Sequence, residues 1–306
     1  MGITINRREV LLGLSGCGLG GVAACASADA QLPARRIPGT DESLPVVGLG
    51  STKPVRYIAE AGTGPLESVI DVLMRYGGRV VDTSPRPAEL DEQFGRVLQR
   101  PALRDLFVAA KVKVEGKDEG IASMRQTLEL FGREPLDLMQ IESMIDYEIQ
   151  WPTLKAMRDR GAVRYIGVTV AHERLYGELE AFMQAERPDF VQLNYSVMEP
   201  AAEQRLLPLA AELGIAVLVN GPFMNGEYFG YVQGRELPEW AGEFGCESWA
   251  QYSLKYILAN PAVTCVLTET TKPEHMEDNV RAGLGTFPEA PARRRMRELG
   301  ATLRGA

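Results

Sequence analysis

The 306-residue chain is 45% hydrophobic and carries a formal net charge of −8. That length holds one large core, the size a (β/α)₈ barrel of about 250 residues needs. Its acidity argues against nucleic acid, whose phosphates demand clustered Lys and Arg. The one basic run, Arg293, Arg294, Arg295 and Arg297, reads as the solvated face of a C-terminal helix.

Residues 1–30 read as an export segment. Asn6-Arg7-Arg8-Glu9-Val10-Leu11-Leu12 resembles a twin-arginine motif, an address read by the Tat translocase. A Gly- and Ala-rich apolar stretch from Val10 to Ala24 follows, too short and too Gly-rich for a good membrane span. Ala28-Asp29-Ala30 offers a small-residue cleavage site. The alternative is Val22-Ala23-Ala24-Cys25, which resembles a lipobox and would anchor the mature protein to a membrane through a lipidated Cys25. Either way the expected location is periplasmic or otherwise extracytoplasmic. Cys246 and Cys265 fall in the remaining chain at a spacing that matches no metal or redox motif, so they read as buried thiols.

Residues 31–306 read as one domain. Short apolar runs recur at Val46–Leu49, Arg79–Thr83, Leu106–Val112, Leu136–Ile141, Tyr165–Thr169, Phe190–Asn194, Ala216–Asn220 and Val263–Leu267. Most are followed by amphipathic stretches, which predicts parallel strands buried on both faces and a single (β/α)₈ TIM barrel. An open doubly wound sheet is the alternative. Pro65–Tyr76 predicts a helix stopped by Gly77-Gly78, and Glu203–Leu213 a second stopped by Gly214. The longest irregular part, Gly221–Gly242, follows the seventh strand, on the face where barrel active sites are built.

Four segments then carry a resemblance. Gly78-Arg79-Val80-Val81-Asp82-Thr83-Ser84, Gly161-Ala162-Val163-Arg164-Tyr165-Ile166-Gly167-Val168-Thr169, Phe190-Val191-Gln192-Leu193-Asn194-Tyr195-Ser196 and Asp278-Asn279 resemble, in order and spacing, the aldo/keto reductases. The resemblance implies carbonyl reduction with NAD(P)H and no metal. It implies a Tyr general acid tuned by a Lys and a buried Asp, with a His completing the oxyanion pocket. Hydride arriving at a carbonyl carbon puts negative charge on oxygen, which needs a proton donor and preorganised dipoles.

Carried over residue by residue, Asp82 matches the family Asp and Lys111 the Lys. The Tyr position is Pro87 and the His position is Glu142. Relatives that reduce carbon–carbon double bonds also carry Glu at the His position but keep the Tyr. The catalytic candidates are therefore Asp82, Lys111 and Glu142. For the cofactor they are Thr169, Gln192, Asn220, Glu269, Thr270, Lys272, His275, Asp278 and Asn279. Glu269 and His275 stand where the family often has a cation and Arg, Val170 where it has an amide, and Asn220 where it has an aromatic platform. A carboxylate at 269 repels a 2′-phosphate but accepts from a ribose 2′-hydroxyl, the logic that favours NAD.

Arg86, beside the missing Tyr, reads as an anion-binding group or a surface loop charge, and His172 as a group on the catalytic face. Trp240 and Trp249 read as packing. Three functions stay open. One is an exported oxidoreductase with an atypical site. The second is a lyase, isomerase or hydrolase using Glu142 as base and Lys111 as electrostatic stabiliser. The third is a non-catalytic binding protein. Barrels host many chemistries.

Overall fold

The computed structural model describes residues 30–305. The twin-arginine motif, most of the cleavage site and Cys25 lie outside the described residues. The first described element is an antiparallel hairpin, β1 (Ala34–Arg36) and β2 (Ser43–Pro45). Eight parallel strands follow: β3 (Val47–Gly50), β4 (Val80–Asp82), β5 (Phe107–Val112), β6 (Leu136–Glu142), β7 (Val163–Thr169), β8 (Phe190–Asn194), β9 (Ala216–Asn220) and β10 (Cys265–Thr268). They close in sequence order, with β10 pairing both β9 and β3. The fold is the expected (β/α)₈ barrel, with no open sheet edge, and each strand overlaps the run that predicts it.

The strands are β-rich and apolar on both faces because both are buried. The outer face packs under the helices in a large cluster that includes Leu73, Val81, Phe94, Leu154 and Ile257. Fully burying one such side chain stabilises the fold by roughly 1.5–3 kcal/mol. A second cluster fills the barrel interior: Val80, Phe107, Ala109, Leu138, Phe190, Leu218 and Leu267, capped by Ile37 and Leu44 of the hairpin. The hairpin thus plugs the end from which the strands start. Its three-residue strands and polar turn give no periodic signal, and the sequence reading passes over it.

Side chains alternate along a strand, so the next inward position after each interior apolar residue is two places on. Val80 is followed by Asp82, Ala109 by Lys111, Leu138 by Gln140 and Glu142, Phe190 by Gln192 and Asn194, Leu218 by Asn220, and Leu267 by Glu269. Above its apolar floor the barrel therefore turns polar, at the C-terminal ends of the strands. Gly167 holds the matching place on β7, where a Cβ would strike the carbonyl oxygen of Phe190.

The helix Gly64–Arg75 ends as predicted, with Gly77 at φ +75°. The other predicted helix differs. Ala201–Gln204 is a 3₁₀ turn, Arg205 breaks it at φ −141°, and the α-helix runs Leu206–Leu213. Segment 221–242 is also more ordered than expected, holding the helix Glu227–Val232 and two 3₁₀ turns. The basic run lies in the helix Ala290–Gly305 but is not simply solvated. Arg293 pairs with Glu203 and donates to the Tyr195 hydroxyl at 2.7 Å, and Arg295 covers the Trp240 ring at 4.2 Å. Among the described residues no helix is long and apolar enough to cross a membrane.

Candidate active site

A cleft of about 780 Å³ opens at the C-terminal ends of the strands, within the range typical of small-molecule sites. Its floor is the Asp82–Lys111 ion pair, each residue 6% exposed. Lys111 Nζ also donates to the Thr83 carbonyl at 3.2 Å. The amides of Gln140 and Gln192 donate to the two Asp82 oxygens, Oδ1 and Oδ2, at 3.2 Å each. β5, β6 and β8 thus each send a side chain to the one carboxylate that β4 carries. Because both glutamine nitrogens face an acceptor, both Oε1 atoms point elsewhere, and they are buried with no partner within the protein.

Glu142 stands one inward position above Gln140, level with Thr169 on β7, and Thr169 is level with Gln192 on β8. Its partner is Lys113, at 2.6 Å, and not Lys111. The reason is register: Lys111 pairs with Gln140 and Val112 with Ile141, so Glu142 meets Lys113, the residue just past the end of β5. Glu142 Oε2 is buried without a partner within the protein, as is Asn220 Oδ1. Thr169, Gln192, Asn220 and Glu269 all line the cleft. Glu269 Oε1 accepts from the backbone N–H of Lys53 at 2.7 Å, in the first turn of the helix Thr52–Ala61, where a carboxylate complements the helix dipole.

The remaining predicted cofactor residues do not line the cleft. Thr270 and Lys272 form a local turn, the Lys272 N–H donating to Thr270 Oγ1 at 3.1 Å. Asp278 accepts from Ser248 Oγ and Gln251 Nε2, both at 2.7 Å, and so braces the start of the helix Trp249–Leu258. Asn279 is buried and His275 exposed. Among the described residues no group of three or more His, Cys, Asp or Glu is placed to hold a metal ion.

Among the described residues no free phenol faces the cleft. Tyr176 is the one tyrosine among the described residues lining the cleft, and its hydroxyl donates to the Asn194 carbonyl at 2.6 Å. Burial, helped by Glu173 and Glu199, pushes it above the ordinary phenol range. Arg86 is turned inward: Nη1 donates to Thr83 Oγ1 and the Ser84 carbonyl at 2.6 Å each and faces Asp91 at 3.6 Å. Sequence reasoning missed Gln140, Lys113 and Arg56. Inward alternation from Leu138 and Lys111 would have found the first two. His172 does line the cleft wall, as do Lys53 and Arg56.

A family model described as "Aldo/keto reductase family" matches residues 65–293. An aldo-keto reductase from Klebsiella pneumoniae solved in complex with NADPH superposes with a TM-score of 0.72 at 18% identity, over 89% of this chain and 95% of that one. The holo form of an aldo-keto reductase from Bacillus halodurans gives 0.70 at 18% identity, over 88% and 96%. At such identity the likeness speaks for the fold. Among curated relatives, the oxidoreductase YqkF of Bacillus subtilis is 23% identical over 52% of this chain and 58% of its own length. The NADH-specific methylglyoxal reductase of Escherichia coli is 29% identical over 42% and 46%. The chain spans about half the length of the curated relatives it matches. The family model covers well over half of this chain, and with the closed barrel it fixes the assignment: the chain belongs to the aldo/keto reductase family.

Proposed function

We propose that the protein is an exported oxidoreductase that reduces a carbonyl group with a nicotinamide cofactor, using Lys111 where its relatives use a tyrosine. The observation that carries this is the buried Asp82–Lys111 pair at the cleft floor of a chain in this family. The residues suit the nicotinamide end of such a cofactor. Gln192 Oε1 and Asn220 Oδ1 are buried acceptors at the cleft that could receive the carboxamide N–H groups. Lys53 and Arg56 place positive charge on the cleft wall for phosphate oxygens. When bound, the cofactor would supply hydride to the carbonyl carbon.

The chain's own part is then electrostatic and protonic. Lys111 is the cation nearest the floor, and two of its bonds, to Asp82 and the Thr83 carbonyl, fix the direction of the remaining N–H. That N–H meets the developing alkoxide and passes it a proton, which completes the alcohol; Lys111 recovers the proton from water. Asp82 keeps the ammonium in place, and Gln140 and Gln192 keep Asp82 in place. Glu142, already bound to Lys113 through Oε1, keeps Oε2 for a hydroxyl or N–H on the substrate. That free oxygen also favours a second reading, in which Glu142 is the base of a lyase or isomerase and no nucleotide takes part.

The deciding experiment titrates residues 31–306 with NADH and NADPH, following fluorescence and melting temperature. A ligand at about 100 times its dissociation constant adds about 2.7 kcal/mol of apparent stability. Binding supports the oxidoreductase, and Glu269 favours NADH as the tighter ligand. Failure of both nucleotides to bind removes this reading and leaves the lyase or isomerase. Export rests on Arg7 and Arg8, with release after Ala30 or anchoring through a lipidated Cys25 as its two ends. Replacing both arginines with lysine should hold the precursor in the cytoplasm; undiminished export would dismiss the motif.

A further inference from the structure

We propose that Asp146 and Gln150 are positioning residues that hold the Lys113–Glu142 pair at the cleft through a strained turn. This rests on the role given to Glu142 above. Directly after Glu142 the backbone enters the left-handed region at Ser143 (φ +55°), Met144 (φ +59°) and Asp146 (φ +50°). Half of the six non-glycine residues with positive φ among the described residues fall in this one turn. Such a conformation persists in ordinary L-residues only where the surroundings over-determine it.

The surroundings here are specific. The Ser143 N–H donates to the Thr169 carbonyl at 2.7 Å, and the Ile145 N–H to the Glu142 carbonyl at 3.1 Å. Asp146 Oδ2 accepts from the Gly116 N–H at 2.7 Å. Gln150 Nε2 donates to the carbonyls of Val114 at 3.2 Å and Gly116 at 2.8 Å. Gln150 is fully buried, and a Cβ on Gly120 would collide with its amide. Val114 and Gly116 lie one and three residues beyond Lys113, whereas Asp146 lies four beyond Glu142. The bracket therefore ties together the loops that leave β5 and β6, just past the two members of the ion pair. Neither Asp146 nor Gln150 lines the cleft, so their effect reaches the chemistry only through Glu142.

The test compares Asp146→Gly and Asp146→Asn in otherwise unaltered protein. Glycine removes the acceptor while relieving the left-handed strain, so the fold should keep its melting temperature. Asparagine retains an acceptor and tolerates the same backbone. For carbonyl reduction, kcat of the glycine variant should fall about tenfold or more with KM nearly constant, and asparagine should restore it. The Ser143 amide should exchange with solvent about tenfold faster in the glycine variant, while amides of β4 and β9 are unchanged. Wild-type kcat in Asp146→Gly, or a loss that merely follows its melting temperature, overturns the proposal. Should the unaltered protein reduce no carbonyl with either nucleotide, the redox reading fails and the exchange measurement decides alone. Faster Ser143 exchange then upholds the bracket, and unchanged exchange overturns it.

Discussion

Lys111 on β5 reaches sideways to Asp82 on β4, and the two share an enclosure where each is only 6% exposed. Removing one member of such a pair leaves the other charge stranded, at a cost of about 3–5 kcal/mol. Lys111→Met should therefore lower the unfolding free energy measured in urea by that amount and abolish turnover. Lys111→Met combined with Asp82→Asn should regain much of the stability and none of the activity. A single variant as stable as the unaltered protein would show that water reaches Asp82 freely.

Glu142 should behave in the opposite way. Its partner Lys113 is half exposed, and ion pairs of that kind contribute about 0–1 kcal/mol. Glu142→Gln should consequently leave the melting temperature within a degree or two of the original while turnover collapses. A well-folded glutamine variant with full activity removes Glu142 from either mechanism.

These two residues also mark how far the sequence reaches. The eight strands are legible because burial on both faces forces continuous apolar runs, and Asp82 and Lys111 are legible because each is a charged residue one place before the end of such a run. What links them is not. Gln140 looks like one polar residue in an apolar strand, and only the pairing of β5 with β6 brings it to Asp82 and sends Glu142 to Lys113. Asp278 is legible as part of a motif, but the bonds its carboxylate accepts from Ser248 and Gln251 are not. Glu203 gathers the hydroxyls of Tyr195 and Tyr256 and the guanidinium of Arg293, the last two from distant segments, and local pattern contains no trace of that convergence.

The two cysteines among the described residues, Cys246 and Cys265, give a prediction about access. Burial pushes the Cys246 thiol up to about 11 and raises Cys265 as well, and both are free thiols. Reaction requires the thiolate, so neither should label with a maleimide near pH 7 in the folded protein, and both should label once urea unfolds it. Rapid labelling of the native protein would mean that the segment around Cys246 opens on its own.

Arg86 and Asp91 form a buried pair just after β4. The Arg86 side chain is 3% exposed, and the Asp91 carboxylate accepts from the Arg86 backbone N–H at 2.9 Å while facing its guanidinium. Burial holds Asp91 above the usual carboxylate range and Arg86 below its own. A carboxyl raised on folding binds its proton more tightly in the native state. Its contribution to stability is thus present below the unfolded value and lost as pH rises through the native one. The guanidinium limits that loss. Without it Asp91 should move higher still, so Arg86→Met should cost more at neutral pH than at about pH 2.5, below the free Asp value of about 3.9, where the carboxyl is protonated in both states. Urea unfolding at the two pH values measures the difference. An equal penalty at both would assign the role of Arg86 to packing and to its bonds with Thr83 and Ser84, and would take charge out of the account of this corner of the barrel.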